Sequence, residues 1–251
     1  MSRRARPLLG TFVEISASGG ADDALDRAFA AISVLEKRLS FHDPASELSR
    51  LNRDGYASTL RIDRHLYRVL ALALRIARLS EGAFDPTAGS TGASWRDIEL
   101  LPGSRVRLRR RLRIDLGGIA KGYCVDRAVA ELRRAGAESG LVNAGGDLRA
   151  FGARAFPLQL RHPEDPSHLM PLGELRNAAL ATSATYLRAQ ERCTGRTPLA
   201  PGASVSVRAP HAAVADALTK VVAVTGEQAA PLLARYRAQA WIVAAPVKAA
   251  A

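Results

Sequence analysis

An α+β fold is the class this sequence predicts, and three observations lead to it. Firm amphipathic helices cluster in the first half, many short strand-like runs surround them, and the two do not alternate as a doubly wound parallel sheet requires. Mixed or antiparallel sheets with packed helices are therefore expected. The 251 residues, 47% of them hydrophobic, suffice for a sizeable core in one large domain or two intimately packed lobes. An Ala-rich tail follows Pro246, so residues 1–246 read as the domain and 247–251 as its tail.

Leu8 to Ser16 alternates loosely and reads as the first strand, broken by Gly19-Gly20. Asp22 or Asp23 is placed to cap the next helix. In that helix Leu25, Ala28, Phe29, Ile32, Leu35 and Leu39 recur at three- and four-residue steps. Ser40 to Gly55 is polar and reads as a loop with a short helical turn at Ser46 to Asn52. His65 to Leu79 is a second strong helix, ended near Gly82. Pro86 biases Asp85 towards extended backbone, which fixes that carboxylate in a loop. Val106, Leu108, Leu112 and Ile114 alternate with arginines around Arg109 to Arg111, predicting a hairpin with one basic face.

A paired-glycine junction follows, Ile114-Asp115-Leu116-Gly117-Gly118-Ile119-Ala120-Lys121-Gly122-Tyr123, and a helix leaves it from Ile119 to Leu132. Leu141 to Asn143 is a short strand entering a tight turn at Ala144-Gly145-Gly146-Asp147, and Leu148 to Phe151 leads out. Further strands are expected at Pro157 to Arg161, Leu172 to Leu175, Ala178 to Ser183, Ser204 to Arg208 and Trp241 to Ala244. Helices are expected at Ala212 to Val224 and Glu227 to Ala238, with Pro231 tolerable in the first turn of the latter.

The net charge is +12, and only Lys37, Lys121, Lys220 and Lys248 among the 36 basic residues are lysines. Such a surface favours acidic partners, and a basic nucleic-acid-binding module is one reading of it. No aromatic ladder accompanies the charge, as a single-strand binder would want. Cys124 and Cys193 lack the spacing of a zinc site or disulfide framework. The five histidines show no metal-ligand spacing. The basic start, Met1 to Pro7, is not followed by a long apolar run, so neither a signal peptide nor a membrane span is expected, and the default location is the cytoplasm.

Among chemistry-bearing stretches the junction stands first. Glycine admits close approach of a ligand to the backbone, and helix-start amides can hold an anion. A plain strand-to-helix turn capped by Asp115 explains the same residues, and the two readings are even on the pattern alone. Asn143 to Asp147 is a second glycine loop with a carboxylate, most simply a hairpin turn. Asp216 and Lys220 stand at i,i+4 in a helical pattern, which a surface ion pair explains.

Together these segments resemble the FAD:protein FMN transferase family, or ApbE family. The resemblance runs in order through Leu9-Gly10-Thr11, Ser46 to Asn52, Gly82 to Thr87, Trp95 to Ile98, Asp115 to Arg127, Asn143 to Arg149, Ala181 to Ser183, Ser204 to Pro210 and Ala215 to Leu218. It implies an α+β fold with a cleft for FAD, magnesium as the metal, and transfer of FMN from FAD to a threonine hydroxyl of an acceptor protein, with release of AMP. By motif position, Leu9, His42, Ala83, Phe84, Asp85, Asp115 and Lys121 line the FAD site. The Gly118 carbonyl and Asp216 hold the metal, with Thr219 nearby as an oxygen donor. Two departures stand out. The family's metal-helix threonine, four residues after the aspartate, is Lys220 here. The family's histidine between Ser183 and Ser204 is replaced by Arg188. Asp216, Lys220 and Arg188 are therefore the candidate catalytic residues. A non-catalytic FAD-binding or flavin-delivery protein, or an FAD pyrophosphatase, is the alternative on the same fold.

Overall fold

The computed structural model describes residues 1–87, 90–161, 169–184 and 203–243. Its main sheet is antiparallel throughout and has seven strands: β1 (Ser2–Leu8), β2 (Thr11–Gly19), β6 (Ala137–Ala144), β7 (Asp147–Phe151), β10 (Ala179–Ala184), β11 (Ser204–Ala209) and β12 (Gln239–Val243), in that spatial order. A three-stranded sheet joins β3 (Leu60–Arg61), β5 (Arg105–Leu108) and β4 (Ile98–Leu101), with β5 central, and β8 (Phe156–Arg161) pairs β9 (Leu169–Leu175). The α+β expectation holds.

One face of the main sheet carries the helices. α1 (Ala24–Leu39), α4 (Ala120–Arg134) and α5 (Ala212–Thr225) lie side by side, with α4 touching both others. α2 (Glu47–Asp54) and α3 (Arg64–Leu79) extend this layer, and α6 (Ala230–Arg235) precedes β12. The apolar stripe of α1 is buried as its periodicity predicts: Leu25, Ala28, Phe29, Ile32, Leu35 and Leu39 join one core with Val13 and Ile15 of β2 and Val142 of β6. Phe156, Leu158, Leu175 and Leu180 form a second, smaller cluster with Ala150 and Ala178. α5 is buried almost all round, from Ala212 to Thr219, so any charge it carries there sits inside the protein.

Three expectations need correction. The first strand is a hairpin: β1 runs through the basic N-terminus and turns at Leu9 and Gly10, both with positive φ. β1 has no apolar face to reveal it; from Ser2 to Pro7 every residue is exposed, and Arg4 and Arg6 pair with Asp26 of α1. Such a charged edge strand resists pairing with other chains. Second, no hairpin turns at Arg109 to Arg111; β5 pairs with β4 across Pro102 to Ser104. Leu112, Ile114 and Leu116 are buried and alternate with exposed Arg113 and Asp115, but their main chain is held by loops and side chains instead of a strand. Third, Glu227 to Ala238 is broken: a 3-10 turn at Gly226–Ala229 precedes the short α6.

Smaller elements follow their local chemistry. Ser46 caps α2, its hydroxyl accepting from the Ser49 amide, whereas Asp23 makes no cap bond to α1 and pairs with Arg27. Asn143 to Asp147 forms the expected tight turn, with Gly145 and Gly146 both at positive φ. The expected strand end at Ala244 and the Ala-rich tail lie outside the described residues.

Candidate functional site

The glycine junction is held in place by bonds from neighbouring elements. Asn52 of α2 donates from its amide to the Ile114 carbonyl at 2.9 Å and accepts from the Ile114 amide at 2.7 Å. The Asp115 amide donates to the Pro86 carbonyl at 2.8 Å, which joins the junction to the Ala83 to Thr87 loop. In that loop Asp85 accepts from the Thr87 amide and hydroxyl, each at 2.8 Å, and from the Trp95 amide at 3.2 Å. The bias imposed by Pro86 thus ends in a carboxylate that organises its own loop. Asp115 itself is exposed, and its Oδ1 accepts from the Gly117 amide at 2.8 Å.

The chain after the glycines enters α4 tightly against α5. A Cβ at Gly122 would lie 2.3 Å from the Ala212 carbonyl oxygen, so only glycine allows this approach. Asp126, one turn along α4, accepts from the Ala212 and Ala213 amides at 2.9 and 3.1 Å and caps α5 from outside. The Tyr123 hydroxyl meets His65 Nδ1 of α3 at 2.9 Å.

Among the described residues, these constraints bring four charges together. Lys121 of α4 is bonded to Asp147, at the end of the β6–β7 turn, at 2.9 Å. Lys220 is bonded to Asp216, both on α5, at 2.7 Å. Asp147 and Asp216 are buried, and neither lysine is more than one-fifth exposed. The i,i+4 pair is therefore not the solvated surface pair its spacing suggests. Burial pushes the Asp147 carboxyl up to about 6, and the Asp216 charge adds to this against the two lysines. Burial opposes the Lys121 ammonium, but the Asp216 and Asp147 carboxylates outweigh it and hold its pKa above the ordinary lysine value. Asp216 is held below the ordinary carboxylate range, because Lys220 and Lys121 outweigh its burial. Buried pairs of this kind seldom add net stability, since desolvation consumes most of the attraction. A cluster of two sits more naturally at a binding site than in a core.

Gly118 borders this cluster. A Cβ there would meet Cε of Lys220 and Cε2 of Phe84, each at 3.3 Å. Ala83 and Phe84 are buried beside the junction. Leu9 sits at the β1–β2 turn, and its amide donates to Glu36 of α1 at 2.7 Å. His42 is exposed and stands edge-on to Phe41 at 5.4 Å. Arg188 lies outside the described residues. Asp147 was legible only as a turn residue; its partner Lys121 lies 26 residues earlier, and no local pattern links the two.

Among the described residues, the carboxylate expected to hold a divalent metal is already paired with an ammonium. Magnesium wants an octahedron of oxygens. Asp216 Oδ1 is occupied by the Lys220 ammonium, and Oδ2 lies 3.4 Å from the Gly122 amide. The Thr219 hydroxyl turns back along its own helix and donates to the Asp216 carbonyl at 2.6 Å. Among the described residues no three His, Cys, Asp or Glu side chains gather as metal ligands.

Comparison with known proteins places this site in context. The ApbE family model matches residues 9–243. An FAD:protein FMN transferase of Treponema pallidum (strain Nichols) is 27% identical over 269 aligned positions, covering 85% of this chain and 74% of that protein. One from Rhodobacter capsulatus is 26% identical and covers 90% of this chain, which spans about half (52%) of that protein's length. The apo crystal structure of the Pseudomonas stutzeri flavinyl transferase ApbE superposes with a TM-score of 0.83 at 20% identity, over 98% of this chain and 92% of that one. The ApbE protein of Thermotoga maritima gives 0.79 at 25% identity, over 96% and 94%.

Proposed function

The chain belongs to the ApbE family, and on that premise we propose that it is an FAD:protein FMN transferase that moves FMN from FAD to a threonine hydroxyl of an acceptor protein and releases AMP. The observation that carries this is the buried Lys121–Asp147 and Asp216–Lys220 cluster beside Gly118 and Phe84. Curated relatives named for that activity align across most of the chain. FAD lies along the junction with its pyrophosphate towards the cluster. Phe84 and Ala83 offer the apolar wall, and Leu9, His42, Asp85 and Asp115 border the flavin nucleotide. Lys121, held in place by Asp147, meets the phosphate charge.

The threonine oxygen bonds to the phosphorus on the riboflavin side. The pyrophosphate P–O bond to AMP breaks, and the threonine proton is released as AMP departs. Such transfer depends mainly on positioning and on neutralising charge at the phosphoryl oxygens. A fixed, desolvated ammonium does this without reorganising. Magnesium, which the family resemblance implies, would find Asp216 already paired with Lys220, and Arg188 stands at the family histidine's place in the sequence. Among the described residues no helix is long and apolar enough to cross a membrane; a cytoplasmic location remains part of this proposal. Incubation with FAD and an acceptor domain carrying a threonine tests the reading. A mass gain on the acceptor equal to one FMN supports it, and an unmodified acceptor beside a working family enzyme overturns it.

A further inference from the structure

Lys220 stands where a metal ion's oxygen ligand is expected, and its surroundings explain what it does there. Resting on the FMN-transfer reading above, we propose that the Lys220 ammonium takes the place of a divalent cation, so that this chain binds the pyrophosphate of FAD without metal.

Four observations converge. Lys220 Nζ is bonded at 2.7 Å to Oδ1 of Asp216, the carboxylate that the family resemblance assigns to the metal. Its stem runs beside Gly118, where a Cβ would lie 3.3 Å from Cε, so the lysine fills space next to the junction. The side chain is only 12% exposed and its partner 1%, so this is a built-in charge and not a surface pair. The Thr219 hydroxyl points its hydrogen at the Asp216 carbonyl of its own helix, at 2.6 Å.

The charges agree. Among the described residues, Lys121 and Lys220 balance Asp147 and Asp216. A divalent ion added to this cluster would meet two buried ammoniums with both carboxylates already paired, and like-charge repulsion in a poorly solvated site is costly. An incoming pyrophosphate diester meets the opposite situation. An ammonium has three N–H donors, so Lys220 can hold Asp216 and a phosphate oxygen together. Lysine is a point charge that suits phosphate without dictating the geometry of a coordination shell. The ligand class is thus a nucleotide pyrophosphate diester, bound by two lysines in place of one lysine and a metal.

FAD binding by the wild-type chain, followed by flavin fluorescence in chelator and again in millimolar magnesium, tests this. The dissociation constants are expected to agree within about twofold. Lys220→Thr restores a hydroxyl four residues after Asp216. This variant is expected to lose about tenfold or more in chelator, as the charged hydrogen bond disappears, and to recover affinity when magnesium is added. Lys220→Arg keeps the charge and is expected to bind FAD in chelator, which separates loss of charge from loss of fold. Wild-type binding that collapses in chelator overturns the inference while leaving FMN transfer standing. Equal FAD affinity of Lys220→Thr and wild type in chelator overturns it also. Absence of FAD binding by the wild type under both conditions overturns the proposed function and this inference with it.

Discussion

Gly122→Ala is the substitution on which helix propensity and packing disagree, and the structure says which prevails. Gly122 lies in the first turn of α4, where alanine is the better helix former by about 1 kcal/mol. The added methyl, however, would stand 2.3 Å from the Ala212 carbonyl oxygen, 2.5 Å from its carbon and 2.7 Å from the Ala213 nitrogen. All three are main-chain atoms, so no rotamer relieves the clash, and α4 and α5 must separate by roughly 1 Å to regain normal contact. That separation also strains the bonds from the Ala212 and Ala213 amides to Asp126, which rides on α4 itself. Overpacking of this kind costs about 1–3 kcal/mol, and the weakened charge-assisted bonds add to it. The net effect is a loss of about 1–2 kcal/mol, which lowers Tm by roughly 2–8 °C in a chain of this size. Thermal unfolding followed by circular dichroism measures it. FAD affinity should fall as well, because Lys121 and Asp216 sit on the two helices forced apart. An unchanged or raised Tm would refute the argument that this approach requires glycine.

Three further substitutions probe other parts of the molecule. Lys121→Met leaves Asp147 buried without its cation, at a cost of about 3–5 kcal/mol while that carboxyl is charged. The Asp147 pKa is already pushed up to about 6 and rises further without Lys121. A raised carboxyl pKa means the folded state holds the extra proton, so the penalty applies above that range and shrinks as pH falls through it; urea unfolding at alkaline and mildly acid pH should show this. Ser46→Ala removes an almost fully buried hydroxyl that accepts from the Ser49 amide and donates to the Ser40 carbonyl, and should cost about 1–2 kcal/mol. Asp23→Ala removes only a half-exposed pair with Arg27 and should change stability by less than about 0.5 kcal/mol. Comparable losses from both would contradict the capping assignment.

The helices were legible because their burial repeats locally. α1, α3 and α5 follow apolar periodicity to within a residue or two, whereas the cap expected from Asp22 or Asp23 does not form. What escaped was set by partners distant in sequence. β1 carries almost no buried side chain, and its existence depends on pairing with β2 and on Asp26 of α1. The run from Leu112 to Leu116 has the burial rhythm of a strand, yet Asn52 and Pro86 take its main-chain bonds. The site divides the same way. Its glycine junction stands out in the sequence, while the bonds from Lys121 to Asp147 and from the Gly122 amide to Asp216 span 26 and 94 residues. The i,i+4 spacing of Asp216 and Lys220 was visible, but its burial depends on α4 and the sheet packing around α5.

The central claim is transfer of FMN to a protein, as distinct from FAD binding or FAD hydrolysis. Quantifying AMP and flavinylated acceptor in one reaction, with and without the acceptor protein, separates the three most directly. Transfer predicts one AMP for each FMN attached and no AMP when the acceptor is left out. AMP formed without any acceptor, or FAD bound with neither product formed, would contradict it.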